Sequence, residues 1–412
     1  MKKSWLLICF INFFIAALMG LLLRLMYVAP VERINFQFLL HGHSHVAMLG
    51  WVYLMLYCFI FHFFIPKEAQ QKPIYNRLFW ITEFAVVGMM IRFPVEGYAL
   101  FSIAFSTLHI FCSYCFCWLV WKDSKPTSVP EKQLLRTALL FMILSTIGVW
   151  CLGPAVGLLG KASPFYQIAI QFFLHFQFNG WFLIAILALF FHQMKAEINA
   201  NQFRLFYFLL VTATILTLAL PVSWYVSNPI FYWTNSLGVI LQLLSFLVFI
   251  KLIRPHFSSF FLRLKKMEKT VYGFALGSLA LKVGIQLVVL LPGLGQISHQ
   301  IRNFVIGYIH LCMLGIITGF LLGFALQNTF VNSKNILVSW GLKVFLFGFI
   351  VTEFLLFLQG VYLFLNQGAL PLYQQYLFLA SIGLPLGLLR VAIGMKGKQS
   401  HFSDEIISIE GY

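Results

Sequence analysis

Charge is what this sequence has least of. Only 10% of its 412 residues are Asp, Glu, Lys or Arg, where a soluble domain carries roughly a quarter. A chain so poor in charge cannot cover a water-facing surface. The short alternating apolar and polar segments of a transmembrane barrel are also missing. Cysteine is sparse: Cys9, Cys58, Cys112, Cys115, Cys117, Cys151 and Cys312. None falls in C-x-x-C-H, so there is no signal for covalent haem attachment, and there is no disulfide-rich framework. No A-x-A-like cleavage site follows the first apolar run, which continues from Lys3 to about Tyr27. That run therefore reads as a retained helix rather than a secretory signal.

What fills the chain instead is apolar: 61% of the residues are hydrophobic. They fall in runs of roughly 20 residues, the length that crosses a bilayer core as helix. The first six lie at about Trp5–Tyr27, Phe38–Phe64, Leu78–Phe93, Tyr98–Trp121, Leu135–Leu159 and Tyr166–Phe191. The second six lie at about Leu205–Trp224, Phe231–Ile253, Val271–Leu291, Phe304–Leu326, Leu337–Leu365 and Leu372–Ala392. The fold class expected is an all-α polytopic membrane protein of about twelve helices. Pro94 to Gly97, between runs 3 and 4, is the weakest of the divisions.

The net charge of +16 does not imply nucleic acid, because the cations cluster in short loops at helix ends. Lys2 and Lys3 precede run 1. Lys67, Lys72 and Arg77 join runs 2 and 3; Lys122, Lys125, Lys132 and Arg136 join runs 4 and 5. Lys195 and Arg204 follow run 6, a dense group from Lys251 to Lys269 follows run 8, and Lys334 follows run 10. The alternate loops and their flanks hold only Arg24, Arg33, Arg92, Lys161 and Arg302. By the positive-inside rule the first set is cytoplasmic, as are both termini, in a bacterial cytoplasmic membrane.

Runs 2, 6 and 10 share a pattern. Run 2 holds His45-Val-Ala-Met-Leu-Gly50, run 6 His175-Phe-Gln-Phe-Asn-Gly180, and run 10 His310-Leu-Cys-Met-Leu-Gly315. His62, His192 and Gln327 each follow seventeen residues after the key His. The spacing implies a pseudo-threefold arrangement of four-helix units, about 1–132, 133–265 and 266–399, in one transmembrane domain. Residues 400–412 read as a short cytoplasmic tail. All three runs point inward from outside, so the three histidines share one depth in the outer half. An intramembrane histidine is costly without a partner and by default suggests function.

Imidazole is the usual axial ligand of b-type haem, and a glycine about one turn away admits a flat macrocycle. Run 2 offers His41-Gly42-His43-Ser44-His45, in which His41 and His45 share a face and His43 points elsewhere. One of these ligates iron and another bonds a propionate or a second metal.

Twelve helices, a threefold repeat and histidines on runs 2, 6 and 10 resemble subunit I of the haem-copper oxidases. The resemblance covers the whole architecture. It implies a low-spin haem between run 2 and run 10, hence one of His41, His43 or His45 opposite His310, with His45 preferred on the repeat register. It also maps the family's helix 6 copper ligand onto His175. Departures accompany it. Run 7 lacks the adjacent histidine pair, Tyr308 stands two before His310, Asn179 replaces the tyrosine after the run 6 histidine, and the paired arginine motif between runs 11 and 12 is missing. The implied protein is a divergent redox branch with one haem b, an incomplete copper site, and a quinol or cytochrome as electron donor. Further membrane subunits that supply missing ligands stay open. An NnrS-type haem and copper protein of nitric oxide stress, or a copper or zinc transporter using the His41–His45 segment, are the alternatives.

Glu83, Lys282 and Glu353 are charges within apolar runs and read either as a proton path or as structural pairs. Arg24, Arg33, Arg92 and Arg302 lie near the outer face, where they suit haem propionates or interfacial anchoring. His109, Cys112 and Cys115 step by three along run 4, as packing groups or as ligands for a soft metal.

Overall fold

A computed structural model describes residues 2–291 and 293–396. Every regular element among them is helical. Twelve helices are long and apolar enough to cross a membrane: α1 (Lys3–Leu25), α2 (Phe36–Phe64), α3 (Pro73–Glu96), α4 (Leu100–Asp123), α5 (Val129–Leu159), α6 (Pro164–Met194), α7 (Ala200–Ser223), α8 (Pro229–Leu262), α9 (Lys266–Val288), α10 (Arg302–Gln327), α11 (Ile336–Phe364) and α12 (Tyr373–Met395). The chain is an all-α, multi-pass membrane protein. The sequence tail at 400–412 lies outside the described residues.

Boundaries follow local chemistry. Asn35, Ser128, Ser163, Asn199, Asn228 and Asn335 cap their helices by accepting a backbone N–H. The weakest division of the sequence is sharp in space. α3 runs through Pro94 to Glu96, and Gly97 breaks it at φ +63°, a conformation that favours glycine. Arg92 pairs with Glu96 at 2.7 Å, and Glu96 accepts the Ser102 backbone N–H at 2.9 Å. The turn is thus braced against the start of α4. In α7 the helix breaks at Thr217 and Leu218, four residues before Pro221, where a proline ring would meet the preceding turn. α8 runs nine residues past the expected Ile253. Apolar runs mark the bilayer rather than the helix, and here the helix carries on through Lys251, Arg254 and Pro255.

Three helices form the centre. The windows of α2, α6 and α10 are 83%, 67% and 83% buried, while no other window exceeds 50%. The outer helices present Phe84, Leu100, Trp118, Phe347 and Phe354 outward, an apolar exterior suited to lipid. Between helices in lipid, close packing rather than the hydrophobic effect holds the bundle. Packing is densest toward the side where Lys and Arg concentrate, called the basic side below. There Leu54–Phe61, Leu183–Phe191 and Thr318–Leu326 are buried throughout.

The same three helices share an irregularity that the sequence did not reveal. Each winds as a π-helix starting on the residue after its key histidine: Val46–Tyr53, Phe176–Phe182 and Leu311–Ile317. Such segments are rare and concentrate at functional sites. Within each lies the repeat glycine. A Cβ on Gly50 would come 2.8 Å from Val86 and 3.1 Å from Asn12, one on Gly180 2.7 Å from Phe141, and one on Gly315 2.8 Å from Ser278. Asn12, Phe141 and Ser278 lie on α1, α5 and α9, the first helix of each four-helix unit. These glycines therefore let each central helix close on its own unit, and the expectation that they make room for a macrocycle is replaced by helix packing. Asn12 also donates to the Gly50 carbonyl at 3.1 Å, and Trp51 to Thr318 Oγ1 at 2.8 Å, tying α2 to α10.

Toward the opposite side the centre loosens. Over Phe36–His45 only Leu39 and Gly42 are buried, over Pro164–His175 only Ala169, and over Arg302–His310 none. The central helices thus keep accessible surface over these halves.

Candidate functional site

The three repeat histidines end these loosened segments, and the threefold arrangement sends each toward the next helix of its own unit. His45 lies on Phe93 of α3, ring centroids 4.2 Å apart at 27°. His175 Nε2 meets the Thr214 carbonyl of α7 at 2.7 Å. His310 Nδ1 lies 3.4 Å from Glu353 Oε1 of α11. The three rings therefore diverge into three separate clefts.

This geometry decides which neighbour each histidine of the His41–His45 segment meets. One helical residue turns about 100°, so His43 projects from the face opposite His41 and His45. His43 Nδ1 bonds the Ala16 carbonyl of α1 at 2.8 Å, and it lies within electrostatic range of His310 and Arg24. A Cβ on Gly20 would sit 2.9 Å from His43 Cε1, so glycine there makes room for the ring. His45 instead faces α3 and the α3–α4 turn, with Nδ1 on the His41 carbonyl at 2.8 Å. Of the three candidates His41, His43 and His45, the preferred His45 faces α3. His43, the residue two earlier, is the one within electrostatic range of His310.

Polar side chains gather between α2 and α10. His310 keeps 27% of its side-chain surface and Glu353 18%, deep in a helical bundle. His43 has Nδ1 bonded to the Ala16 carbonyl, and His310 Nδ1 stands 3.4 Å from the Glu353 carboxylate. Arg24 lies within range of Glu353, Tyr373 and Arg302, and Asn303 donates to the Tyr373 hydroxyl at 2.7 Å. The Arg302 guanidinium sits 5.9 Å from the Phe36 ring centroid. Ala16, Gly20, Asn303 and Tyr373 carried no sequence signal, because their roles come from neighbouring helices.

The cleft of His175 is different. Its Nε2 is held by a backbone carbonyl, and Asn179 donates back to the His175 carbonyl at 3.3 Å. Beside it Lys282, fully within the membrane span, donates to Gln286 at 2.9 Å. Lys282, Asn179 and Cys312 line a cavity with room for about one water molecule.

Among the described residues no three His, Cys, Asp or Glu side chains converge where a metal ion could be held. Cys112 is buried while Cys115 is exposed, and His109 packs edge-on against Tyr53 at 4.7 Å. Nor do the intramembrane charges join into one path. Glu83 accepts from Asn12 at 2.8 Å, Lys282 bonds Gln286 and Glu353 pairs with His310. Arg92 is committed to Glu96. At the basic side His192 pairs with Glu131 at 3.2 Å, and Gln327 accepts from Tyr272 at 2.5 Å.

The sequence matches no model of a known protein family and no protein of curated function. The site's own chemistry carries the functional argument.

Proposed function

We propose that this chain is a haem-binding membrane redox protein, with one b-type haem between α2 and α10 held by His43 and His310. The observation that carries the reading is the pair of imidazoles on two central helices, His43 bonded at Nδ1 to the Ala16 carbonyl and His310 with Nδ1 3.4 Å from the Glu353 carboxylate, both in the less buried halves of α2 and α10. A backbone carbonyl or carboxylate on the second ring nitrogen fixes the tautomer and the orientation of an axial histidine. The Ala16 carbonyl does this for His43, and the Glu353 carboxylate stands beside Nδ1 of His310 at 3.4 Å. Arg24 and Arg302, on the side away from the basic loops, suit two carboxylates of a bound group. When bound, the haem supplies one-electron transfer.

This reading favours a divergent relative of haem-copper oxidase subunit I. It does not extend to copper at His175, whose Nε2 is occupied and which has no second imidazole on α7. Oxygen reduction is therefore no part of the proposal. A quinol or a cytochrome as electron donor, and a bacterial inner membrane with the basic side in the cytoplasm, complete the reading.

Haem content tests it. Protein purified in mild detergent from haem-supplied cells should carry about one b-type haem per chain by its alkaline pyridine spectrum. Protein free of haem under those conditions overturns the reading and moves the weight to metal transport.

A further inference from the structure

His41 and His45 lie outside the haem reading, since both point away from His310. They stand four residues apart on one face of α2, the spacing that brings two side chains side by side. The α3–α4 turn is folded over this face. Its Arg92–Glu96 pair and the Ser102 hydroxyl, which donates to the Gly97 carbonyl at 2.6 Å, hold it there. A Cβ on Gly97 would lie 2.5 Å from Phe38 on α2, so the turn sits close against the helix. Tyr98 packs edge-on against both imidazoles as a result, its ring centroid 4.6 Å from His41 and 6.0 Å from His45.

The two histidines are prepared differently. The His45 ring is fixed by its Nδ1 bond to the His41 carbonyl and by stacking on Phe93, so Nε2 is the nitrogen it presents. His41 is half-buried and lies among aromatic rings, with Phe93 at 6.3 Å and Tyr98 at 4.6 Å. Both occupy the loosened half of α2, and Tyr98 is 48% exposed, so the pair can be reached from the side opposite the basic loops.

We propose that His41 and His45 form a binding site for a divalent transition-metal ion of borderline softness, with copper(II) the tightest. Two imidazoles from one helical turn chelate such an ion, and its remaining positions are open to water. The site is distinct from the haem cleft because His43, between the two ligands, leaves from the opposite face. The His41-Gly-His-Ser-His45 segment then serves two ligands, one on each side of α2.

Full-length protein without a polyhistidine tag, stripped with chelator in detergent, is titrated with copper(II). One ion per chain should bind, and its paramagnetic resonance spectrum should show coupling to two imidazole nitrogens. His41→Gln or His45→Gln should each weaken binding at least about a hundredfold, while His43→Ala should leave it intact. Stoichiometric copper that survives in the His41→Gln/His45→Gln double variant, or that shows no imidazole coupling in the wild type, overturns the proposal. So does the absence of a one-to-one site. Copper binding to haem-free protein would sink only the haem reading, so the two failures are distinguishable.

Discussion

Replacing the repeat glycines by alanine should destabilise the protein to an extent set by the atom each new methyl meets. At Gly180 the Cβ would lie 2.7 Å from both Cβ and Cγ of Phe141, against 3.4 Å where ordinary contact begins. Those atoms sit next to the α5 backbone and cannot swing aside, so α5 and α6 must part by roughly 0.7 Å. Forced overpacking of this kind costs about 1–3 kcal/mol, and Gly180→Ala belongs at the upper end. Gly50 meets a Val86 methyl at 2.8 Å and Asn12 Cβ at 3.1 Å. Valine is stiff at χ1, so the cost there is similar. Gly315 meets the Ser278 hydroxyl at 2.8 Å, which can rotate, and Ser278 Cβ at 3.0 Å, which cannot, so its cost should lie below that at Gly180, at about 1–2 kcal/mol. Gly157, with nothing within 4 Å of its Cβ position, is the control, and alanine there should be neutral or slightly stabilising. The assay is the fraction of protein that stays monodisperse in detergent after heating. Equal loss at Gly180 and Gly157, or Gly315 as the most sensitive position, would refute the packing argument.

Three further outcomes follow from other parts of the molecule. Glu353→Gln removes the carboxylate from His310 Nδ1 and should weaken haem retention about 10–100-fold, whereas Glu83→Gln, whose partner is Asn12, should not. His299 stacks flat on Trp224 at 4.3 Å and 5°, and burial holds its imidazole below the ordinary value. The unfolded chain then binds the proton more readily, so this contribution is full above about pH 6.5 and is lost as pH falls. Thermal stability should decline on acidification less in His299→Gln than in the wild type; identical declines would remove His299 from the account. Finally, an impermeant thiol reagent applied to intact cells should label Lys161→Cys but not Lys195→Cys, and the reverse would invert the orientation.

Much of this architecture was legible in the sequence because bilayer thickness imposes a length on every span. The twelve runs lie within the twelve helices except at a few ends. Misplaced ends, as in α8, arise where a helix outlasts the hydrophobic layer. The register of His45, His175 and His310 was legible too, and it coincides with the start of all three π-helical segments. What the sequence could not supply was rotation. That His43 opposes His41 and His45 follows from helical geometry, but which face meets α10 depends on how α2 is turned in the bundle. Gly50, Gly180 and Gly315 misled for a related reason: a small residue permits close approach without naming what approaches. Glu353 stood out as an intramembrane charge, yet its role emerges only beside His310 on another helix.

The most direct test of the central claim is the reduced-minus-oxidised optical spectrum of the purified wild type beside His43→Ala, His45→Ala and His310→Ala. The account predicts a low-spin b-type spectrum that is lost in the His43 and His310 variants and kept in the His45 variant. A spectrum lost with His45 and kept without His43 would contradict it.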